Sequence, residues 1–418
     1  MFLLGLCLVL AAGPAQASLS GATPALQISV AGNHLADAAG RPLTLRGVDL
    51  SGTEFACAQG WDGVYGDQPL DLASTYAAMQ EWKVNVVRVP LNEDCWLAIN
   101  NVKPTAAGAR YQDAIRTEVE LIHSAGMYAI LDLHWSAPGA QLALSQNPAP
   151  DADHSVTFWR QVAEAYRSDR AVIFDLFNEP YDYWGGNSDH WAAWKDGDTY
   201  AQYVTGGSPY AISTPWRSVG VQALVNVIRD AGATQPIIVN GLDWANDLSG
   251  WLTHSPHDPA RQLIAGWHVY PGQGCSSTAC WDSVIAPIAQ RFPVVVGETG
   301  DSSGGTQIFL PRFLPWADRH GLNYVAWTWN PWQDDSNVLI KDWGGTPTDG
   351  EGTFYKQELA FAPVAIPTAK PTNPEVPSAR GGTIAYVGLL GLLVAAALAA
   401  LIARRTLPAA LARFDGKR

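Results

Sequence analysis

The 418-residue chain is poor in charge, in sulfur and in histidine. Only 16 % of its residues are charged, and 26 basic residues stand against 39 acidic ones, a net charge of −13. A chain so short of positive charge offers no basic face for phosphates, so nucleic acid is not an expected partner. Its five cysteines form no CxxC pair and its nine histidines no ligand-spaced cluster, so the pattern of a zinc site is missing and no metal is expected. No glycine-rich loop follows the first apolar run, which leaves a nucleotide cofactor without its phosphate cradle, and no cofactor is expected.

Length permits one large domain or two average ones. Of the residues present, 47 % are hydrophobic and 18 are tryptophan. Indole rings stack against sugar rings and also fill cores, so their number alone does not choose a function.

The two ends read as targeting and anchoring segments. Residues 1–17, an apolar stretch of about ten residues ending in Ala15-Gln16-Ala17, fit a signal peptide. They lack the early Lys or Arg of that pattern, and Cys7 would leave with them. Residues 383–403 are 21 uncharged, apolar residues, long enough for a membrane-spanning helix. Arg404, Arg405, Arg413, Lys417 and Arg418 follow, which places a basic tail (404–418) in the cytoplasm and the rest of the chain outside. Residues 362–382 contain Pro363, Pro367, Pro371, Pro374 and Pro377 and read as a stalk. The expected localisation is therefore export with anchoring in the cell membrane. In that compartment Cys275 and Cys280, five apart in a Gly/Ser-rich loop, can form a local disulfide, and Cys57 would then pair with Cys95.

Between these ends, residues 18–361 alternate short apolar runs with amphipathic stretches. Eight strands are predicted, at 43–50, 85–90, 128–133, 172–177, 236–239, 263–267, 293–296 and 323–329. Helices are predicted at 71–81, 110–124, 156–166, 216–230, 281–290 and 307–319, with weak signals near 248–252 and 354–361. Eight such units suit an α/β fold of the (β/α)8 TIM-barrel type. An open doubly wound sheet is the alternative.

The strand ends carry chemistry. The fourth run, IFDLFNEP, breaks from apolar residues into Asn178, Glu179 and Pro180. A carboxylate at the carboxyl end of a parallel strand is where such folds place an active site. Arg88 ends the second run, His134 the third, His268 and Tyr270 the sixth and Glu298 the seventh, while Trp327 and Trp329 lie in the eighth. Two acids from strands four and seven can face each other across a ring. Glycoside hydrolysis requires such a pair, about 5–5.5 Å apart where configuration is retained. Arg88, His268 and Tyr270 are candidates to hold one carboxylate charged, and Asn178 to bond a sugar hydroxyl.

The ordered set RVP, LDLHW, NEP, HxY, VGETG and AWTWNP resembles glycoside hydrolase family five, the cellulase family, over roughly residues 43–361. The resemblance implies Glu179 as acid/base, Glu298 as nucleophile, and Trp327 as a sugar platform; strand alternation puts Trp329 on the same side as second choice. It implies a poly- or oligosaccharide substrate, most simply a β-glucan cut internally. An exo-acting glycosidase or transglycosylase on another sugar, or a glycan-binding surface protein without turnover, are the alternatives. Residues 181–214 form a long insertion with Trp184, Trp191, Trp194, Tyr200, Tyr203 and Tyr210, expected either to extend or to wall off a cleft. His254, His257 and Asp258 read as solvated surface.

Overall fold

The computed structural model describes residues 26–69, 72–181, 189–200, 215–301, 308–332 and 337–360. The expected signal peptide, stalk, spanning helix and tail lie outside these residues. The chain divides after Ile366, and the second unit, Pro367–Arg418, is wholly outside them too. Among the described residues no helix is long and apolar enough to cross a membrane.

Eight parallel strands close into a barrel: β1 (Arg46–Asp49), β2 (Val86–Asn92), β3 (Tyr128–Trp135), β4 (Val172–Asp175), β5 (Ile237–Asn240), β6 (Leu263–Val269), β7 (Val294–Thr299) and β8 (Asn323–Ala326). Each pairs with its sequence neighbour, and β8 returns to pair with β1 through Tyr324 opposite Arg46. The strands read as continuous apolar runs because both faces are covered. Val87, Leu131, Phe174, Val239, Ala265 and Val296 point outward into the main core, whereas Val86, Ile130, Ile173, Ile238, Ile264, Val295 and Val325 form an inner apolar layer. Burying each such Val or Ile contributes roughly 1.5–3 kcal/mol.

That inner layer is closed by a device the sequence reading did not find. Ser29–Ala31, His34–Ala36 and Pro42–Leu43 form an antiparallel sheet, and Ile28, Leu35 and Leu45 pack against the inner layer. Leu43 pairs with Leu35, so it belongs to this sheet, and the first barrel strand starts three residues later than expected.

Around the barrel run α1 (Leu72–Glu81), α2 (Ala109–Ser124), α3 (Ser155–Tyr166), α4 (Val221–Asp230), the short α5 (Trp251–His254), α6 (Ala286–Ala289), α7 (Leu310–Arg319) and α8 (Glu351–Ala360). Trp216 and Arg217 are not helical as expected; they pair with Thr199 and Tyr200, and α4 begins after Gly220. A Cβ on Gly220 would lie 2.1 Å from the Lys195 carbonyl oxygen, so that approach requires glycine. Residues 281–285 ahead of α6 form a π-helical turn.

Both expected disulfides are present, Cys57–Cys95 and Cys275–Cys280, with Cα separations of 5.9 and 5.4 Å. Asp258 is not solvated as expected. It is buried, and Arg229 donates to both its oxygens at 2.8 and 3.0 Å.

Candidate active site

Strand alternation builds the site. Two residues beyond the inner apolar layer, the same faces turn polar: Val86 gives way to Arg88, Ile130 to Asp132 and then His134, Ile173 to Asp175, and Ile238 to Asn240. A register shift between Trp267 and His268 in β6 sets His268 opposite Glu298 in β7, the kind of re-aiming a bulge provides. A Cβ on Gly297 would lie 2.7 Å from His268 Nε2, so glycine there lets the imidazole enter.

Arg88 is the centre of this layer. Its side chain is wholly buried and reaches five groups. Nε donates to Asp175 at 3.0 Å, Nη1 to Asp49 at 3.0 Å and to Glu298 Oε1 at 2.9 Å, and Nη2 to Asn178 Oδ1 at 2.8 Å while pairing with Asp132 at 3.0 Å. One guanidinium thus faces four carboxylates. Burial pushes the carboxyls of Asp49 and Asp175 well above the usual range against the pull of Arg88, and Asp132 up to about 7 for the same reason. The cluster therefore holds protons that an exposed set would have lost.

Glu298 receives two hydrogen bonds, from Arg88 to Oε1 and from the Tyr270 hydroxyl to Oε2 at 3.0 Å. The first is charge-assisted, and together they fix the orientation of the carboxyl group. Glu179 faces it from the end of β4, and a carboxylate oxygen of each, with a His268 nitrogen, lies within 4.8 Å of the others. Burial, and then the charge of Glu298, push the Glu179 carboxyl well above its usual range. His268 Nδ1 is 3.0 Å from Glu179 Oε1 and 3.7 Å from Glu298 Oε2. Burial and the nearby Arg88 hold this imidazole neutral. His268 thus serves the acid, whereas Arg88 and Tyr270 serve the partner.

His134 Nδ1 lies 2.6 Å from Asp132 Oδ2, which leaves Nε2 facing Asn178 Nδ2 at 3.4 Å. Burial lowers its pKa to about 4. Trp327 is part-buried and stacks on His134, ring centroids 5.7 Å apart at 13°, so it keeps a face at the barrel mouth. Trp329 does not. β8 ends at Ala326, so strand alternation does not carry two residues further. Trp329 is fully buried, its ring edge-on to Trp82 with centroids 4.7 Å apart and its backbone N–H bonded to the Asp49 carbonyl. It is core, and its expected role as a second platform is withdrawn.

The insertion after β4 also differs from expectation where it is described. Trp194 is buried with its indole N–H on the Asn240 carbonyl, Trp191 packs on Trp194, and Tyr200 stacks on Trp216. These rings are packing material. Trp184, Tyr203 and Tyr210 lie outside the described residues.

Sequence reasoning missed several site residues. Glu54 is buried, accepts from Ser51 and from the Gly52 N–H, and its charge acts on His134. Asp49, Asp132 and Asp175 carried a signal: each is the Asp of an Asp-Leu pair inside an apolar strand, a position too costly for a carboxylate without a partner. Gln146, from the loop after β3, bonds Asn178 and carried none. Two exposed indoles stand on opposite sides of the ring. Trp61 (42 % exposed) is in the loop after β1, and Trp244 (39 % exposed), stacked on Tyr181, is in the loop after β5.

Glu179, His268 and Glu298 form the one set among the described residues whose donor atoms converge closely enough to hold a metal ion. Arg88 already supplies the positive charge at Glu298, and the hydrogen bonds described fix both acids without an ion.

A (β/α)8 barrel with two converging carboxylates at its carboxyl-terminal mouth defines a hydrolase of the glycosidase type. The family model "Cellulase (glycosyl hydrolase family 5)" matches residues 36–333, and the chain belongs to that family. It is similar to a mannan endo-1,4-beta-mannosidase of Salipaludibacillus agaradhaerens, 23 % identical over 76 % of this chain and 86 % of that protein. Endoglucanase CelA of Streptomyces lividans is 25 % identical over 79 % of this chain, but the match spans only 60 % of that enzyme's length. Among solved structures, a β-glucanase from Saccharophagus degradans in complex with cellotetraose superimposes with a TM-score of 0.57 at 23 % identity, over 80 % of this chain and 93 % of that one.

Proposed function

We propose that the protein is a retaining glycosidase of the cell surface that cuts β-linked glucan within the chain. The observation that carries the proposal is the pairing of a proton-retaining Glu179 with a doubly hydrogen-bonded Glu298 within 4.8 Å. That closeness suits double displacement, for which the two carboxyl groups stand about 5–5.5 Å apart.

In the first step a Glu298 oxygen attacks the anomeric carbon while Glu179 protonates the departing glycosidic oxygen. Arg88 and Tyr270, hydrogen-bonded to its two oxygens, keep Glu298 aimed. Burial keeps the proton on Glu179 until the leaving group takes it. In the second step Glu179, now a carboxylate, removes a proton from the water that attacks the glycosyl ester, and Glu298 leaves. Neutral His268 orients the Glu179 carboxyl without adding a charge that would draw off its proton. Asn178, held by Arg88, presents its amide to the hydroxyl beside the reacting carbon.

Internal cleavage is supported by Trp61 and Trp244, exposed indoles in the loops that follow β1 and β5, strands opposite each other in the ring. A cleft flanked by stacking rings on both sides accepts a chain that continues in both directions. β-1,4-Glucan is the first substrate and β-mannan the second, because relatives of both kinds match. Export and anchoring rest on residues 1–17 and 383–403.

The test is hydrolysis of a glycan panel with product analysis. Glu179→Gln and Glu298→Gln are each expected to lower activity by orders of magnitude, and azide to rescue Glu179→Ala on an activated aryl glycoside. Near-wild-type rates in either Gln variant would exclude the assignment. Release of terminal sugars alone would replace the internal-cleavage reading with an exo-acting one.

A further inference from the structure

We infer that Gln146 is a positioning residue for the reaction, fixing the orientation of the Asn178 amide. The inference rests on the glycosidase reading above. Gln146 lies in the loop between β3 and α3. Its Oε1 accepts from Asn178 Nδ2 at 2.9 Å, and its Nε2 donates to the Glu179 carbonyl at 3.1 Å and to the Asn147 carbonyl at 2.8 Å. One side-chain amide therefore grips two consecutive residues of the NEP turn.

The consequence for Asn178 is orientational. Its Oδ1 accepts from Arg88 Nη2 at 2.8 Å, so its amide is held from both sides. Turning the amide over would set Oδ1 against Gln146 Oε1 and the NH2 group against the guanidinium, two repulsions in a buried site. With one N–H committed to Gln146 at 2.9 Å, the other makes only a long 3.4 Å contact with His134 Nε2, which a substrate hydroxyl can replace.

The loop that carries Gln146 is itself fixed on both sides. The Ala143 N–H donates to Asp94 Oδ2 and Asn92 Nδ2 to the Ala143 carbonyl, each at 2.8 Å, and the Tyr181 N–H donates to the Pro148 carbonyl at 2.8 Å. Behind it, Leu144, Ser145 and Asn147 line an open cavity of about 380 Å³. The segment has solvent at its back, so truncating Gln146 removes hydrogen bonds without opening a hole in the hydrophobic core.

The experiment compares an aryl β-cellobioside with its analogue lacking the 2-hydroxyl on the reacting sugar. It uses wild type, Gln146→Ala, Gln146→Glu, Asn178→Ala and the Gln146→Ala/Asn178→Ala double variant. Gln146→Ala is expected to lose about tenfold in kcat/KM on the hydroxylated substrate and less than about threefold on the deoxy one, with an unchanged melting temperature. The double variant is expected to match Asn178→Ala, because Gln146 acts through Asn178. Gln146→Glu, which keeps an acceptor facing Asn178, is expected to recover most of the loss. Gln146→Met, of similar length without hydrogen-bonding groups, is expected to give the same substrate split should the alanine variant fold poorly. Equal losses on both substrates, or additive losses in the double variant, would overturn the inference while leaving the glycosidase reading intact. A wild-type enzyme that cleaves neither substrate would overturn both.

Discussion

Replacing Arg88 with methionine removes a wholly buried cation from among Asp49, Asp132, Asp175 and Glu298, all within 3.0 Å of it. Methionine fills comparable length without charge, so the loss is electrostatic and not a cavity. Breaking a buried ion pair by removing one partner costs about 3–5 kcal/mol, because the other charge is left uncompensated. The variant can lessen this by taking up protons, and Asp132, already near pKa 7 by burial, is poised to do so. The cost should therefore depend on pH, in a direction that simple loss of packing would not produce. At pH 7, where more of the three aspartates must remain ionised, urea unfolding followed by circular dichroism should give a loss of about 3–5 kcal/mol. At pH 5 the loss should shrink by more than about 1 kcal/mol. Arg88→Lys keeps the charge but not the planar fork, and it should lose roughly 1–3 kcal/mol while abolishing most activity, since a single ammonium cannot hold both Glu298 and Asn178. A loss below about 1 kcal/mol for Arg88→Met at pH 7, or an equal loss at both pH values, would refute the reasoning.

The raised pKa of Glu179 should place the alkaline limb of kcat/KM above the usual carboxylate range, activity falling as pH rises through it. Glu179→Gln should abolish that limb along with the activity. Stability should follow Asp94 and Glu118, whose burial raises them to about 6 and about 8. A carboxyl with a raised folded-state pKa stabilises fully below the ordinary carboxyl range, and that stability is lost as pH rises through the folded value. The melting temperature should accordingly fall between about pH 4 and pH 8. Trp327→Ala and Trp329→Ala should separate cleanly. The first should lower kcat/KM by about 10–100-fold with little change in melting temperature, and the second should cost about 3–5 kcal/mol of stability.

Most of the barrel was readable because its strands are buried on both faces, so each appears as an apolar run of limited length ended by a polar residue. The same property made strand ends ambiguous. Trp329 follows Trp327 with a strand-like spacing, yet the chain has left the sheet at Ala326, and only tertiary packing against Trp82 shows where the second indole goes. Arg88, Glu179, Glu298, His268 and Tyr270 were legible as types that an apolar strand end would not otherwise tolerate. Which carboxylate His268 serves was not, since that depends on a register shift in β6. Glu54 and Gln146 come from loops, where a polar residue is the rule and position in space has no periodic trace. The aromatic insertion after β4 misled because a tryptophan in a long loop looks exposed, whereas Trp194 reaches back to the Asn240 carbonyl and seals the helix layer.

The central claim is that Glu179 and Glu298 act as acid/base and nucleophile in a double displacement. It is tested most directly by following the anomeric protons of the first-formed product during cello-oligosaccharide hydrolysis by NMR. The account predicts that the β anomer appears first, with the α anomer arising only by mutarotation. Early appearance of the α anomer would mean a single displacement by water and would contradict it.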